Sequence, residues 1–294
     1  MLRVSLLAAC LAISSLMGQE SGESGRLTFE GRVQGSTNQL GSVTRLDISA
    51  GYLLTKRWSL SFGVPYYFVS PSNSTQTSSG TGAFDGVGNV FSELRFTLPN
   101  PALNYVATVT GTAPTGDRNQ GLSTGHATVD WSNYFERDFG RLTPLGEIGI
   151  ANAVSDTQFF VRPYSSYGFV AHAQGGARYR LMRWLSAGGS GYMIQPKGQQ
   201  TVVSRIVTKH GSALSTAIAG AARGRLNQVF ETQSITTGPA DIARDRGFST
   251  WAALGVRPSL NIYAGYTRST QYSLDTVFFG VGFRVRRSLG VGGL

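Results

Sequence analysis

Apolar and polar residues alternate in many segments along the chain. In "VTRLDISAGYLL", Leu46, Ile48, Ala50, Tyr52 and Leu54 alternate with polar or small residues. The segments "WSLSFGVPYYFV" and "TVFFGVGFRV" repeat this pattern. Because successive side chains of a β-strand point to opposite faces, a period of two predicts strands with one apolar and one polar face.

About twelve such segments occur, and each keeps its alternation for about 10–13 residues. Strands of soluble β-sandwiches usually run about 5–6 residues, whereas a tilted strand needs about 9–11 residues to cross a bilayer. Strand length therefore favours a membrane barrel over the alternative of a secreted soluble sandwich. The segments begin near Leu27, Val43, Trp58, Val87, Leu103, Ala127, Leu142, Tyr167, Trp184, Phe248, Leu260 and Ser273.

Short connections alternate with long ones. Tight turns are expected around 56–57, 99–101, 140–141, 182–183 and 258–259, whereas "SPSNSTQTSSGTGAFDG" and "PTGDRNQGLSTG" are long and rich in Ser, Thr and Gly. This rhythm is typical of barrels with short periplasmic turns and longer external loops. The sequence predicts an all-β, antiparallel up-and-down transmembrane barrel of about 12 strands in a bacterial outer membrane. Its expected partners are the outer-membrane lipid and the barrel-assembly machinery.

The segment "YGFVAHAQGGARYRL" shows which face meets lipid. One face carries no charge, and the other holds His172, Gln174, Arg178 and Arg180. Lipid forms no hydrogen bonds, so the uncharged face should point outward and the polar face should line the lumen. Applied to every strand, this parity predicts the lumen-lining, candidate permeant-contacting residues Glu30, Arg32, Arg45, Asp47, Glu93, Arg95, Asp130, Glu136, Glu147, His172, Gln174, Arg178, Arg180 and Arg284.

Two roles are open for these lumenal charges. They could form ion pairs that brace the barrel, or they could select permeants. Because the inward carboxylates and arginines nearly cancel, weak charge selectivity is expected unless the two signs occupy opposite walls. Guanidinium groups also stack on aromatic rings, which offers aromatic solutes a route through an arginine-lined lumen.

Composition supports a charge-poor β protein. Charged residues are 14% of the chain and glycine occurs 38 times, whereas soluble domains usually have about 25% charged residues and about 7% glycine. The formal net charge is +10. The arginines are scattered singly along two-faced strands and form no basic helix or aromatic-interleaved patch, so no nucleic-acid partner is expected.

The N-terminal segment has the layout of a secretory signal peptide. In "MLRVSLLAACLAISSLMGQESG", one positive residue, Arg3, precedes an uncharged apolar run. We assign 1–22 to the signal peptide and 23–294 to the barrel. A lipoprotein signal ending at Cys10 is the alternative, but the apolar run continues beyond that cysteine. Cys10 is the single cysteine of the chain, so no disulfide is expected after cleavage.

Residues 195–247 are expected to form a long extracellular loop, for which three arrangements are open. Leu214, Ile218, Ala222, Leu226 and Phe230 recur at four-residue steps, which predicts an amphipathic helix that could cap or plug the mouth. Alternatively, "QTVVSRIVT" and "RLNQVFETQSIT" extend the neighbouring strands above the membrane. A third arrangement adds two spanning strands and gives fourteen.

Signatures of enzymes and metal sites are lacking. The chain has three histidines and no metalloprotease, serine-hydrolase or phosphate-loop motif. An outer-membrane phospholipase would need a Ser and a His in contact on the lipid-facing surface. His126 and His172 fall on the lumen-facing side of the predicted strands, so neither meets this requirement. The protein is therefore expected not to be an enzyme and to need no cofactor or metal.

Three stretches near the middle of the chain carry a family resemblance. "GVGNVFSELRFTL", "YVATVTGTAPTGD" and "LSTGHATVDWSNYFERDFG" resemble the outer-membrane proteins of the MetA-pathway of phenol degradation family. That family has a Gly-Asp strand, a Pro-Thr-Gly-Asp loop and a Leu-Gly-Thr-Gly segment. Here Asn89 replaces the Asp of the strand, the loop is 114–117, and the last segment is 122–125. The resemblance implies an outer-membrane barrel that handles aromatic compounds without catalysis.

These observations predict a passive channel for small molecules, and the resemblance alone suggests aromatic or other hydrophobic compounds as permeants. The alternative is a non-conducting structural barrel whose lumen is closed by side chains and the long loop. Twelve strands lie between the filled eight-stranded barrels and the open porins, so strand number does not decide between them.

Overall fold

The fold is that of a computed structural model, which describes residues 27–38, 41–71, 83–100, 102–157, 160–206, 235–257 and 260–285. The predicted signal peptide, 1–22, lies outside the described residues. The elements are β1 (Leu27–Asn38), β2 (Gly41–Leu53), β3 (Trp58–Pro71), β4 (Phe84–Val87), β5 (Phe91–Leu98), β6 (Asn104–Thr112), β7 (Thr128–Glu136), β8 (Leu142–Val154), β9 (Tyr164–Arg180), β10 (Leu185–Pro196), β11 (Gln199–Ser204), β12 (Ile235–Pro239), a 3-10 helix (Ala240–Ala243), β13 (Asp245–Arg257), β14 (Leu260–Ser269) and β15 (Leu274–Val285).

Twelve strand positions close into one antiparallel barrel, as the sequence predicts. Their circular order is β1, β2, β3, β5, β6, β7, β8, β9, β10, β13, β14 and β15, and β15 pairs with β1 from Leu27 opposite Val285 to Thr37 opposite Asp275. Each of these strands has a neighbour on both sides, so its backbone N–H and C=O groups pair with those of the neighbouring strands and are not left unpaired in lipid. No helix in the described part of the chain is long and apolar enough to cross a membrane.

The two ends of the barrel differ in their connections. The turns at 54–57, 137–141 and 181–184 leave one end, which we call the short-turn end. The connections at 113–127 and 155–163 leave the other end, which we call the long-loop end. The difference matches the predicted alternation of short and long links in part, since two residues join β1 to β2 and four join β14 to β15 at the long-loop end.

Three short strands extend the barrel strands at the long-loop end. β4 pairs with β3 in line with β5, and β11 follows β10 and pairs with β9. β12 pairs with β11 and leads through the 3-10 helix into β13. β11 and β12 thus extend neighbouring strands without adding spanning positions, so the barrel has twelve strands rather than fourteen. The apolar stripe at 214–230 lies outside the described residues.

The strand faces follow the predicted parity. On β3 the side chains of Phe62, Val64 and Phe68 are exposed, whereas Tyr67 and Val69 on the opposite face are buried. In a closed barrel the inner face is enclosed and the outer face meets the bilayer, so exposed apolar side chains are the lipid-facing ones. This is the arrangement that the alternation in "WSLSFGVPYYFV" predicts.

Glycines on the inner face make room for aromatic rings of neighbouring strands. A Cβ atom on Gly265 would lie 2.3 Å from the Phe278 ring, and one on Gly188 would lie 2.6 Å from the Trp251 ring. On the outer face, a Cβ atom on Gly175 would have nothing within 4 Å. The inner glycines are therefore required by packing, because the rings lie directly over them.

The assigned faces of β9 can be tested with one substitution on each face. Ala171 shares the outer face with the exposed Phe169, whereas the Gln174 amide donates a hydrogen bond to Ser190 Oγ at 2.7 Å on the inner face. Because a guanidinium at the lipid-facing midplane costs about 2–4 kcal/mol, we expect Ala171→Arg to lose most of its heat-modifiable folded fraction on semi-native gels. Gln174→Arg should fold like the wild type. Equal folding of the two variants would contradict the assigned faces.

Candidate functional site in the barrel lumen

The predicted lumenal residues share one face of the barrel wall. The register aligns Arg95, Thr108, Ser132, Gly149 and His172 in one row across five neighbouring strands, and aligned residues point to the same side of a sheet. The described strands place Glu30 and Arg32 on β1, Arg45 and Asp47 on β2, Glu93 and Arg95 on β5, Asp130 and Glu136 on β7, Glu147 on β8, and His172, Gln174, Arg178 and Arg180 on β9.

Arg284 and Arg180 lie near the short-turn end of the barrel. Arg284 lies in β15 opposite Thr28, but its side chain is outside the described part of the structure. Arg180 is exposed at the short-turn end of β9. Contact of the predicted residues with a permeant stays a prediction.

Buried ion pairs occupy several of the lumenal arginines. Arg32 Nη2 lies 2.8 Å from Asp47 Oδ2, and Arg45 Nε lies 2.7 Å from Asp47 Oδ1. Toward the short-turn end, Arg178 Nη2 lies 3.4 Å from Glu136 Oε2. Buried pairs of this geometry brace the wall, and removing one partner leaves an uncompensated buried charge. The Arg178 side chain is 8% exposed, which favours the bracing role over contact with a permeant.

A second group of charges lines β5 to β9 and is partly exposed. His172 Nε2 lies 3.0 Å from Asp130 Oδ2, and its Nδ1 lies 3.9 Å from Glu147 Oε1. The imidazole reaches β7 across Gly149 of β8, where a Cβ atom would come within 2.4 Å of the ring. Arg95 Nη2 lies 2.8 Å from Glu93 Oε1. We call this group the polar arc; its members are Glu93, Arg95, Asp130, Glu147 and His172.

The lumen also contains an apolar cluster that the sequence pattern does not identify. Leu145 of β8 packs with Trp251, Tyr263 and Phe278 of β13, β14 and β15, and Tyr134 of β7 packs against this group. In the circular order, β7 and β8 lie across the barrel from β14 and β15. These five residues, which we call the lumenal aromatic cluster, therefore narrow the lumen from both walls.

The connection between β8 and β9 folds into the long-loop end of the barrel. Gln34 Nε2 of β1 donates a hydrogen bond to Thr157 O at 3.0 Å, and the Tyr67 hydroxyl of β3 donates to Asp156 Oδ2 at 2.7 Å. β1 and β3 lie across the barrel from β8 and β9. The connection, of which 155–157 and 160–163 are described, therefore crosses the lumen, and we call it the cross-lumen loop.

Asp156 is the centre of a buried charge cluster in this loop. Arg205 Nη1 and Arg45 Nη1 lie 3.0 Å and 3.7 Å from Asp156 Oδ2, and the backbone N–H of Arg162 donates to Oδ1 at 2.7 Å. Burial by itself raises the pKa of the Asp156 carboxyl, but the two arginines and the hydrogen bonds outweigh burial and hold that pKa below its ordinary value. The Arg205 guanidinium also lies over the Tyr67 ring, 4.3 Å from the centroid.

A second buried pair fixes the other side of the cross-lumen loop. Arg162 Nη2 lies 3.2 Å from Asp245 Oδ2, and the guanidinium lies over the Phe160 ring, 4.4 Å from the centroid. Asp245 also accepts hydrogen bonds from Ser269 Oγ at 2.6 Å and from the Tyr192 hydroxyl at 3.3 Å. The loop is thereby attached to β10, β13 and β14 as well as to β1, β2 and β3.

Apolar packing completes the closure of the long-loop end. Val161 of the cross-lumen loop forms a buried cluster with Val43, Val69, Leu122 and Ile206. Leu122 comes from the connection between β6 and β7, so two connections meet inside the mouth. Apolar contacts of this kind exclude water from the charge pairs beside them and strengthen those pairs.

The Pro-Thr-Gly-Asp segment at 114–117 has a structural role. Thr115 Oγ1 accepts a hydrogen bond from the Val90 backbone N–H at 2.9 Å and donates to Gly88 O at 3.0 Å. The Gly116 N–H donates to Asn89 Oδ1 at 3.2 Å. The segment thus satisfies backbone groups where β4 ends and β5 begins, and the Asn89 side chain supplies the oxygen that an aspartate would also offer.

His126 lies outside the strand whose alternation was used to orient it. It precedes β7, is exposed and stacks on the Tyr167 ring with centroids 4.5 Å apart. Strand alternation therefore does not assign it a face, and its lumenal orientation stays a prediction. Among the described residues, no group of three or more His, Cys, Asp or Glu side chains is arranged to hold a metal ion.

The barrel is similar to solved outer-membrane proteins. The COG4313 outer membrane channel from Pseudomonas putida F1 is 17% identical, with a TM-score of 0.58 over 90% of this chain and 97% of that chain. The NanC porin and the KdgM porin are each 9% identical, with TM-scores of 0.49 and 0.45 over 87% of this chain and 100% and 99% of theirs. No protein-family model and no curated protein sequence matches the chain. At this identity, the similarity to the channel from P. putida shows the outer-membrane type of barrel fold.

Proposed function

We propose that the chain is a passive channel for small molecules in a bacterial outer membrane. The supporting observation is the exposure of carboxylates inside the barrel: the side chains of Asp130, Glu147 and Glu93 are 39%, 31% and 27% exposed. Removing an ionised group from water costs several kcal/mol, so these groups indicate a hydrated lumen. In this function the long-loop end faces outward and the short-turn end faces the periplasm. Outer-membrane lipid surrounds the barrel, which the barrel-assembly machinery inserts.

A non-conducting structural barrel is the second candidate. The cross-lumen loop and the lumenal aromatic cluster favour it, because each spans the lumen at a different height. The two candidates differ in whether a continuous aqueous path exists.

Single-channel recording in planar lipid bilayers distinguishes the two candidates. We expect the folded protein to give discrete conductance steps, smaller than those of open porins because two constrictions narrow the path. Protein purified in parallel from cells that express Ala171→Arg, which is not expected to fold, controls for contaminating porins. A folded barrel that gives no steps above this control would establish the structural candidate.

Within this function, we propose aromatic or other hydrophobic compounds as permeants. The resemblance to the MetA-pathway of phenol degradation family suggests this class, and the rings of Trp251, Tyr263 and Phe278 offer surfaces against which a flat solute can pack. In the same recordings, a neutral aromatic alcohol should reduce the current more than an aliphatic alcohol of similar size. Trp251→Leu should remove that difference.

A further inference from the structure

The charged side chains of the lumen differ in how far they reach solvent. The arginines of the buried braces are nearly covered, since the side chains of Arg32, Arg45 and Arg178 are 11%, 9% and 8% exposed. The carboxylates of the polar arc are several times more exposed, as described above. The carboxylates of these braces are equally covered, since the side chains of Asp47 and Glu136 are 3% and 8% exposed, so the charges that reach the lumenal water are chiefly those of the polar arc.

With its three carboxylates ionised, the polar arc is negative whether or not its histidine is charged. It contains three carboxylates, one guanidinium and one imidazole. The guanidinium of Arg95 is bound to Glu93, and the imidazole of His172 lies between Asp130 and Glu147. A charged imidazole leaves a net charge of about −1 and a neutral one leaves about −2.

We propose that the polar arc makes the pore cation-selective, so that small cationic solutes are its preferred charged permeants although the whole chain carries a formal net charge of +10. This proposal rests on the proposed channel function. Low-dielectric walls focus the field of the arc into the narrow lumen and raise the local concentration of cations. Arg180 lies at the exposed short-turn end, where bulk salt screens its charge.

Reversal potentials in a KCl gradient measure this selectivity. At about 0.1 M salt we expect K⁺ to permeate about threefold or more faster than Cl⁻. The permeability ratio of K⁺ to Cl⁻ should fall toward one near 1 M salt, because the Debye length shortens from about 10 Å to about 3 Å. Asp130→Asn combined with Glu147→Gln should bring the low-salt ratio to about one, and Arg95→Gln should raise it.

A matched control removes the same kind of charge elsewhere. Asp241 lies on the exposed 3-10 helix, where its side chain is 65% exposed and pairs with Arg244, so Asp241→Asn should leave the ratio unchanged. Should the double variant fail to fold on semi-native gels, Glu147→Gln alone should lower the ratio part of the way.

The outcomes separate this proposal from the channel function. A conducting wild type that is non-selective or prefers Cl⁻ overturns cation selectivity and leaves the channel function standing. If Asp241→Asn changes the permeability ratio of K⁺ to Cl⁻ as much as the variants of the polar arc do, the role of the arc is also overturned. A folded wild type that does not conduct overturns both proposals.

Discussion

Asp156→Ala is expected to release the cross-lumen loop and to raise the single-channel conductance several-fold. The carboxylate holds Arg205 and Arg45 together and accepts hydrogen bonds from Tyr67 and from the backbone of Arg162. Removing it leaves two guanidinium groups buried beside each other, and breaking a buried pair in this way costs about 3–5 kcal/mol. The loop, rather than the barrel, should yield, because the strands are held by continuous backbone pairing.

Two controls make this result specific. Asp241→Ala removes an exposed aspartate from the same end of the barrel and should leave the conductance unchanged. Asp156→Asn keeps one of the two oxygens, so it can accept the hydrogen bond of either the Arg162 N–H or the Tyr67 hydroxyl but not both, and it should give an intermediate conductance. A folded Asp156→Ala barrel with wild-type conductance would show that the loop is not the closing element.

The same carboxylate makes closure depend on pH. While the cross-lumen loop is seated, that is, held in the mouth of the barrel, the pKa of Asp156 is held below its ordinary value of 3.8. The Asp156 carboxylate therefore binds a proton more tightly when the loop is released from the mouth than when it is seated. The carboxylate therefore stabilises the seated loop at all pH values above that ordinary value, and the stabilisation is lost as pH falls through the lowered pKa. We expect a conductance increase confined to pH below about 4, which Asp156→Asn should abolish.

Gly265→Ala is expected to prevent assembly of the barrel. The added Cβ atom would lie 2.3 Å from the Thr250 carbonyl oxygen and 2.3 Å from the Phe278 ring. Thr250 and Phe278 belong to the two strands that pair with β14, so relief requires a break in one of these ladders. Semi-native gel electrophoresis should show little or no heat-modifiable protein.

Gly175→Ala is the matched control, because it makes the same change at an outer-face position with nothing within 4 Å. It should fold like the wild type. Normal folding of Gly265→Ala would mean that the Phe278 ring is not held against the wall, and the lumenal aromatic cluster would then be wrongly described.

Strand number, strand faces and closure were predictable from the sequence, because a period of two is a local property of the chain. The sequence did not allow the pairing of the lumenal charges to be predicted. Arg32 faces Asp47 only because of the register between β1 and β2, and register depends on the turn that joins two strands as well as on their pattern. In "TVFFGVGFRV", Phe278 alternates with lipid-facing residues, so the sequence predicts that its side chain faces the lumen. The position of its ring directly over Gly265 follows only from the pairing of β14 with β15.

The closure of the long-loop end could not be predicted. The segment "SDTQFFVRP" has no periodicity and reads as an ordinary surface connection. Asp156 and Arg162 acquire their roles from Tyr67, Arg205 and Asp245, which lie far away in the chain and meet them only inside the closed barrel. Buried charges in a connection are a tertiary feature, and no local pattern of residues encodes them.

The path of the cross-lumen loop has a consequence for the order of assembly. Gln34 and Thr157 are separated by 123 positions, and Tyr67 and Asp156 by 89. Contacts between such distant segments form late, because the chain entropy of closing long loops opposes them. The two walls that hold the loop face each other only after β15 has paired with β1. We therefore expect each newly inserted molecule to pass through a stage in which the long-loop end is still open, so that membrane insertion would bring a brief leak of solutes before the cross-lumen loop takes its final position.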